Sequence, residues 1–198
     1  MLRPIIVLLL LALLSACAHA PLQPSPSNQA RSDYLRKQMT WTANMSLLAV
    51  TAQEKFKARL QWQHAPDQYT IKMRDFIGRT VAVVEGKSEK VVAKTSTGHR
   101  YENIDADHLL AELTGLHVPV NGLKFWLLGL PDPQHSLELY QTGRQGLPQI
   151  IKQAGWTIHY QDYENVGLIA MPNSILLDQA DINLRLKISR WQLPDSHE

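Results

Sequence analysis

The stretch Phe56-Lys57-Ala58-Arg59-Leu60-Gln61-Trp62-Gln63 places an apolar side chain at every second position. Lysine, arginine and glutamine fill the positions between, and this period of two is typical of a β-strand with one buried face and one solvated face. The same alternation recurs at 41–47, 69–73 and 182–188. Successive short strands with short turns predict an antiparallel sheet that has one apolar face.

Other parts of the chain carry the same strand and turn signals. Alternation predicts further strands at 79–84, 90–94, 147–152 and 156–160. Glycine, proline and polar residues predict turns at 65–67, 85–87, 153–155 and 171–173. Two runs of strands are therefore expected, one on each side of residues 104–133.

The middle of the chain changes to helical spacing. A first helix is predicted from the apolar positions Ile104, Leu109, Leu110, Leu113 and Leu116, with Asp105 or Asp107 as its cap and Gly115 as its end. A second helix is predicted at 122–128, capped by Asn121 and stopped by Gly129. This second helix is apolar on nearly all sides, so it must be covered by protein or face a cavity that holds an apolar ligand.

These elements predict a mainly β (α+β) architecture. A curved sheet with one apolar face and an apolar helical insert gives an incomplete antiparallel β-barrel, with the insert as a helical lid over a hydrophobic cavity. The predicted cavity residues are Leu109, Leu110, Leu113, Leu123, Trp126 and Leu127 from the lid and Met45, Leu60, Ile71 and Val83 from the sheet. The sheet positions depend on register, because a shift of one residue moves a side chain to the other face.

The N-terminus reads as an export signal. Arg3 precedes an apolar run at 5–14, which is too short to cross a bilayer, and the small residues Ser15 and Ala16 follow. Leu14-Ser15-Ala16-Cys17 resembles the bacterial lipobox, in which the cysteine becomes the lipidated first residue. The alternative is an ordinary signal peptide with a chance cysteine, but Cys17 is the only cysteine and lies at the expected cleavage point.

The expected organisation is a signal peptide at 1–16, a lipidated N-terminus and flexible tether at 17–30, and a single domain at 31–198. In lipoproteins of bacteria with two membranes, an aspartate after the lipidated cysteine commonly marks retention in the inner membrane. Here that residue is Ala18, which predicts the outer membrane. A formal net charge of +2 without a basic block argues against a nucleic-acid partner.

Motifs that carry chemistry are not found in the sequence. The eight histidines form no metal-ligand spacing, and no nucleophile elbow, P-loop or dinucleotide fingerprint occurs. We therefore expect no enzyme activity, no metal and no cofactor. The five tryptophans are expected to fill the core, except that Trp126 is equally compatible with a cavity wall.

Residues 74–79 contain an unusual apolar loop. Phe76 and Ile77 stand beside Gly78, with Arg74 and Arg79 on either side. The loop either folds back onto the sheet or forms a wedge that enters a membrane, with the arginines near the headgroups.

Several segments resemble the LolB family of outer-membrane lipoproteins. These segments are the lipobox, residues 56–62, 75–78, 113–120 and 155–160, and above all Phe125-Trp126-Leu127-Leu128-Gly129-Leu130-Pro131. The family usually carries Pro-Leu-Gly in its protruding loop, so Ile77 replaces the leucine here. The resemblance implies an incomplete barrel with a lid, located on the periplasmic face of the outer membrane.

That resemblance also implies partners and a task. The chain would accept acylated lipoproteins from a periplasmic carrier of the LolA type and insert them into the outer-membrane lipid, with Phe76, Ile77 and Gly78 as the insertion loop. We expect a monomer. Two other interpretations stay open: a lipoprotein that carries free lipid, and a structural lipoprotein without cargo.

Overall fold

The computed structural model describes residues 26–87, 90–103, 105–114, 117–143 and 145–194. The predicted signal peptide, Cys17 and the tether up to residue 25 lie outside the described residues. The helices are α1 (Pro26–Gln38), α2 (Ala106–Thr114) and α3 (Val120–Trp126). The strands are β1 (Trp41–Val50), β2 (Lys55–Ala65), β3 (Gln68–Arg74), β4 (Thr80–Lys87), β5 (Lys90–Thr95), β6 (Arg100–Asn103), β7 (Leu137–Thr142), β8 (Pro148–Gln153), β9 (Trp156–Val166), β10 (Ile169–Gln179) and β11 (Ile182–Gln192).

All eleven strands of the described part belong to one sheet. Their order is β6-β5-β4-β3-β2-β1-β11-β10-β9-β8-β7, and each neighbouring pair is antiparallel. Because the first and last strands of this order are β6 and β7, the sheet is open rather than a closed barrel. The predicted mainly β, incomplete antiparallel barrel is confirmed.

The alternation of apolar residues places one face of the sheet towards the core. Met45 of β1 lies opposite Leu60 of β2 and Ile188 of β11, so three apolar side chains meet on the same side. We call this side the concave face, and the lid, formed by α2 and α3, packs against it. The opposite, convex face carries the polar residues of the alternation.

One predicted turn lies inside a strand. The sequence predicts a turn at 85–87, but β4 continues to Lys87. Gly86 lies directly under the ring of Tyr69, and a Cβ at that position would come within 2.1 Å of the ring. The glycine is required for this close packing rather than for a turn.

A second predicted turn, at 171–173, also lies inside a strand. Pro172 belongs to β10, where the pairing with β9 shifts register directly after it. A proline lacks the N–H that a regular ladder needs, and a bulge accommodates this loss. The Trp191 indole N–H then donates to the Pro172 carbonyl at 2.7 Å.

Helix α1 begins earlier than the predicted tether allows. The sequence predicts a tether that extends through residues 26–30, but these residues form the first turns of α1. Asn28 is buried and its side-chain amide donates to the Tyr140 hydroxyl at 3.1 Å. This contact spans 112 residues of sequence. The composition of residues 17–30 therefore could not predict this contact or the helix that it holds in place.

Candidate functional site

A cavity of about 360 Å³ lies between the concave face and the lid. Eighteen of its nineteen lining residues are apolar, and Glu54 is the exception. Strands β1 to β4 and the β1–β2 turn contribute Met45, Leu47, Ala49, Glu54, Phe56, Leu60, Trp62, Ile71, Met73 and Val84. The lid helices and the residues next to them contribute Ala106, Leu109, Leu110, Val118, Val120, Leu123 and Leu127. Strand β11 contributes Leu184 and Leu186. Such a wall favours a hydrocarbon ligand, because it offers almost no partner for a polar group.

Seven of the ten predicted cavity residues line this space. They are Met45, Leu60, Ile71, Leu109, Leu110, Leu123 and Leu127. The side chain of Leu113 lies outside the described part of the structure. Val83 is placed on the convex face, opposite Lys72, while its neighbour Val84 lines the cavity opposite Ile71. Val83 is therefore a wrong assignment, and its cause is a register error of one residue.

Trp126 does not line the cavity either. It is 1% exposed, and its indole N–H donates to the Gln153 side-chain oxygen at 3.0 Å. Its ring packs against Trp156 with the two centroids 6.4 Å apart. The expectation of a cavity role is wrong, because Trp126 is directed to a buried polar partner on β8.

Gln153 makes four hydrogen bonds and is fully buried. Its oxygen accepts from Trp126 and from the Asp132 backbone N–H at 2.8 Å. Its nitrogen donates to the carbonyl oxygens of Asp132 and His135, both at 2.8 Å. The four bonds attach the end of α3 and the segment after it to the sheet. The sequence showed Gln153 only as a turn residue.

The C-terminal end of the lid has a second attachment, provided by α1. The buried Arg31 donates from Nε to the Ala170 carbonyl and from Nη2 to the Leu128 carbonyl, both at 2.6 Å. The guanidinium also lies 5.9 Å from the ring centroid of Tyr163. No described carboxylate pairs with Arg31, and its burial lowers its pKa. One side chain thus joins α1, the lid and β10.

The two lid helices are joined by aspartates at the start of α2. Asp105 accepts from the Asp107 backbone N–H at 3.0 Å, which is the predicted capping role. Asp107 in turn accepts from the Asn121 backbone N–H at 3.2 Å. Burial raises the pKa of Asp107. The expectation that Asn121 caps the second helix is wrong, since Pro119 occupies that position without a side-chain hydrogen bond.

The cavity opens where β1 turns into β2. Glu54 and Phe56 line it and are both exposed to solvent, so this end forms its mouth. The β3–β4 loop lies at the same end, because Arg74, the last residue of β3, pairs with Arg59 near the start of β2. An apolar chain leaving the cavity would pass close to this loop.

The β3–β4 loop holds its apolar side chains in solvent. Phe76 is 79% exposed and Ile77 is 59% exposed, so the loop does not fold back onto the sheet. The Asp75 carboxylate accepts from the backbone N–H groups of Ile77 and Arg79 at 3.1 and 2.9 Å. Gly78 adopts a φ of 90°, which suits glycine. These bonds fix a tight turn whose tip is apolar.

Among the described residues, no group of three histidines, cysteines, aspartates or glutamates is arranged to hold a metal ion. In the same part of the chain, no helix is long and apolar enough to cross a membrane.

Comparison with known proteins agrees with this geometry. A solved structure of a LolA superfamily protein from Nitrosomonas europaea superposes with a TM-score of 0.55 at 11% identity, over 84% of this chain and 93% of that one. The fold and cavity thus define a LolA-like open half-barrel with a lid. The sequence profile of the family described as "Outer membrane lipoprotein LolB" matches residues 39–191. The chain belongs to the LolB family.

Full-length relatives support the same assignment. The outer-membrane lipoprotein LolB of Tolumonas auensis is 30% identical over 194 residues, which is 98% of both chains. The LolB of Cellvibrio japonicus is 32% identical over 197 residues, covering 94% of this chain and 97% of that one. This family consists of outer-membrane lipoprotein receptors and not of enzymes.

Proposed function

We propose that this chain is a receptor anchored to the periplasmic face of the outer membrane, which accepts acylated lipoproteins from a LolA-type carrier and inserts them into that membrane. The observation that carries the proposal is the cavity of about 360 Å³ with a nearly continuous apolar wall. This volume is at the lower end of the roughly 300–1,000 Å³ typical of ligand pockets. The cavity is therefore large enough for an acyl chain but not for the protein part of a cargo lipoprotein.

Acyl chains need an apolar surface at every step of transfer. Each methylene brought out of water gains about 0.8 kcal/mol, so a lipoprotein anchor cannot cross the aqueous periplasm unprotected. A cavity in the receptor supplies the step between the carrier and the bilayer. The direction of transfer follows from rising affinity, from carrier to receptor to membrane, and needs no nucleotide.

Under this proposal the receptor is a monomer with two features that contact the membrane. The first is the lipid on Cys17, which anchors the chain. The β3–β4 loop, with Phe76, Ile77 and Gly78, enters the bilayer next to the cavity mouth. Support for the second feature comes from the exposure of the two apolar side chains and from their position at the mouth end.

A two-step transfer assay tests this function. A radiolabelled lipoprotein bound to a LolA-type carrier is mixed with the purified receptor, and the loaded receptor is then mixed with liposomes. We expect the label to move first to the receptor and then to the liposomes. Acyl chains that copurify with the receptor without transfer from the carrier would favour a carrier of free lipid. Neither bound acyl chains nor transfer would favour a structural lipoprotein.

A further inference from the structure

The convex face of the sheet carries a concentration of positive charge. The four neighbouring strands β3, β2, β1 and β11 contain eight lysines and arginines and no aspartate or glutamate. The eight residues are Lys55, Lys57, Arg59, Lys72, Arg74, Arg185, Lys187 and Arg190. Seven of them are exposed and Lys72 is half-buried. The formal net charge of the whole chain is only +2, so the acidic residues that balance this charge lie outside these four strands.

Strand register brings these cations onto one surface. Arg59 lies directly opposite Arg74 of β3, and on its other side Ser46 separates it from Lys187 of β11. Like charges directly opposite each other destabilise a sheet. An arrangement that repels itself in the free protein gains most from a partner of opposite charge.

The eight cations of β2, β3 and β11 have no acidic partners in the described structure. None of the eight forms a salt bridge with a described residue, whereas Arg79, Lys90, Lys94 and Arg100 elsewhere are each paired with an aspartate or glutamate. The charge of the convex face is therefore available to an external anion.

The cationic face is continuous with the apolar loop. Phe76 lines the same groove as Lys57 and Arg59 of β2 and Arg185 and Lys187 of β11. Cations beside an exposed apolar tip match the chemistry of a bilayer surface, where phosphates lie above hydrocarbon. An acidic protein surface would satisfy the cations but would leave the tip in water. The combination therefore favours lipid over a protein partner.

We propose that the convex face of β3, β2, β1 and β11 docks on anionic phospholipid headgroups and orients the cavity mouth and the β3–β4 loop towards the bilayer. The inference rests on the proposed delivery to the same membrane, but docking itself needs neither carrier nor cargo. The chain between Cys17 and α1 spans at most about 30 Å. If Cys17 is lipidated, even a weak attraction acts at a high effective concentration.

Vesicle binding of matched charge variants tests the proposal. The mature chain from residue 17, carrying Cys17→Ala to remove the anchor, is sedimented with vesicles of phosphatidylethanolamine and phosphatidylglycerol or of phosphatidylcholine alone. The test variant is Lys57→Gln with Lys187→Gln. The control variant is Arg36→Gln with Lys37→Gln, which removes two exposed cations of α1, outside the convex face.

We expect binding to the anionic vesicles only, weakened about fivefold for each lysine removed from the convex face. The control variant should bind almost as well as the parent, because charges farther than about 10 Å from the lipid are screened. An equal loss in both variants, or equal binding to both vesicles, would overturn the proposal. The proposal would also be overturned if the test variant bound vesicles normally but bound the LolA-type carrier more weakly, because the face would then be a carrier interface. Failure of cargo transfer with normal vesicle binding would instead count against the proposed function.

Discussion

The β3–β4 loop gives the most specific prediction for delivery, through Ile77→Glu. Full burial of an isoleucine gains about 1.5–3 kcal/mol, and 59% of Ile77 is still exposed and available to lipid. The wild-type loop should therefore gain about 0.9–1.8 kcal/mol from Ile77 on entering the bilayer, or about five- to twentyfold in the insertion equilibrium. The glutamate loses this gain and adds a charge that resists burial.

The expected result is a selective defect in the second step of transfer. Ile77→Glu should accept cargo from the carrier normally and deliver it to liposomes at least about fivefold more slowly. Its free energy of unfolding should change by less than about 0.5 kcal/mol, because the side chain is exposed in the folded protein. The measurement is the rate of each transfer step, together with a denaturant titration.

Leu168 provides the matched control. It is fully exposed in the β9–β10 turn, at the end of the sheet opposite the cavity mouth. Leu168→Glu should leave both steps unchanged. Normal delivery by Ile77→Glu would refute the membrane-wedge reasoning. Loss of the first step instead would place Ile77 in the contact with the carrier.

Three other substitutions follow from the structure and the sequence. Cys17→Ala should abolish acylation and release the chain into the periplasm, as mass spectrometry and fractionation would show; an acylated variant would contradict the lipobox. Gln153→Leu removes four hydrogen bonds and leaves the buried Trp126 and Asp132 N–H groups without this acceptor, so it should lower the free energy of unfolding by about 3–5 kcal/mol. Gln141 is exposed, and Gln141→Leu should cost under about 0.5 kcal/mol. Ala49→Trp places a large ring in the cavity and should weaken binding of a fluorescent fatty acid more than about tenfold while costing about 1–3 kcal/mol of stability; unchanged binding would place the ligand elsewhere.

Regular alternation made most of the sheet predictable from sequence. Residues 56–63 of β2 and 182–188 of β11 follow the period of two, and both predicted strands are confirmed. Prediction failed where a turn-forming residue serves another purpose. Gly86 makes room for the Tyr69 ring, and Pro172 sits at a bulge, and neither role can be seen without the neighbouring strand.

The candidate site was predictable to a similar extent. Apolar periodicity indicated which helices form the lid, but it could not separate Val83 from Val84 without the register of β4. It also could not show that Trp126 turns towards Gln153, because the two residues are 27 positions apart. Contacts between polar side chains distant in sequence require the folded structure.

Photo-crosslinking from adjacent positions of β2 tests the central claim most directly. Leu60 faces the cavity, and its neighbour Gln61 lies on the convex face opposite Asn44 and Lys72. A photoreactive side chain is placed at either position, and the receptor is loaded from a carrier that holds an acylated lipoprotein. We predict crosslinks to the acyl chains from position 60 and none from position 61. Equal crosslinking from both positions, or crosslinking from 61 alone, would contradict the account that the cavity receives the cargo.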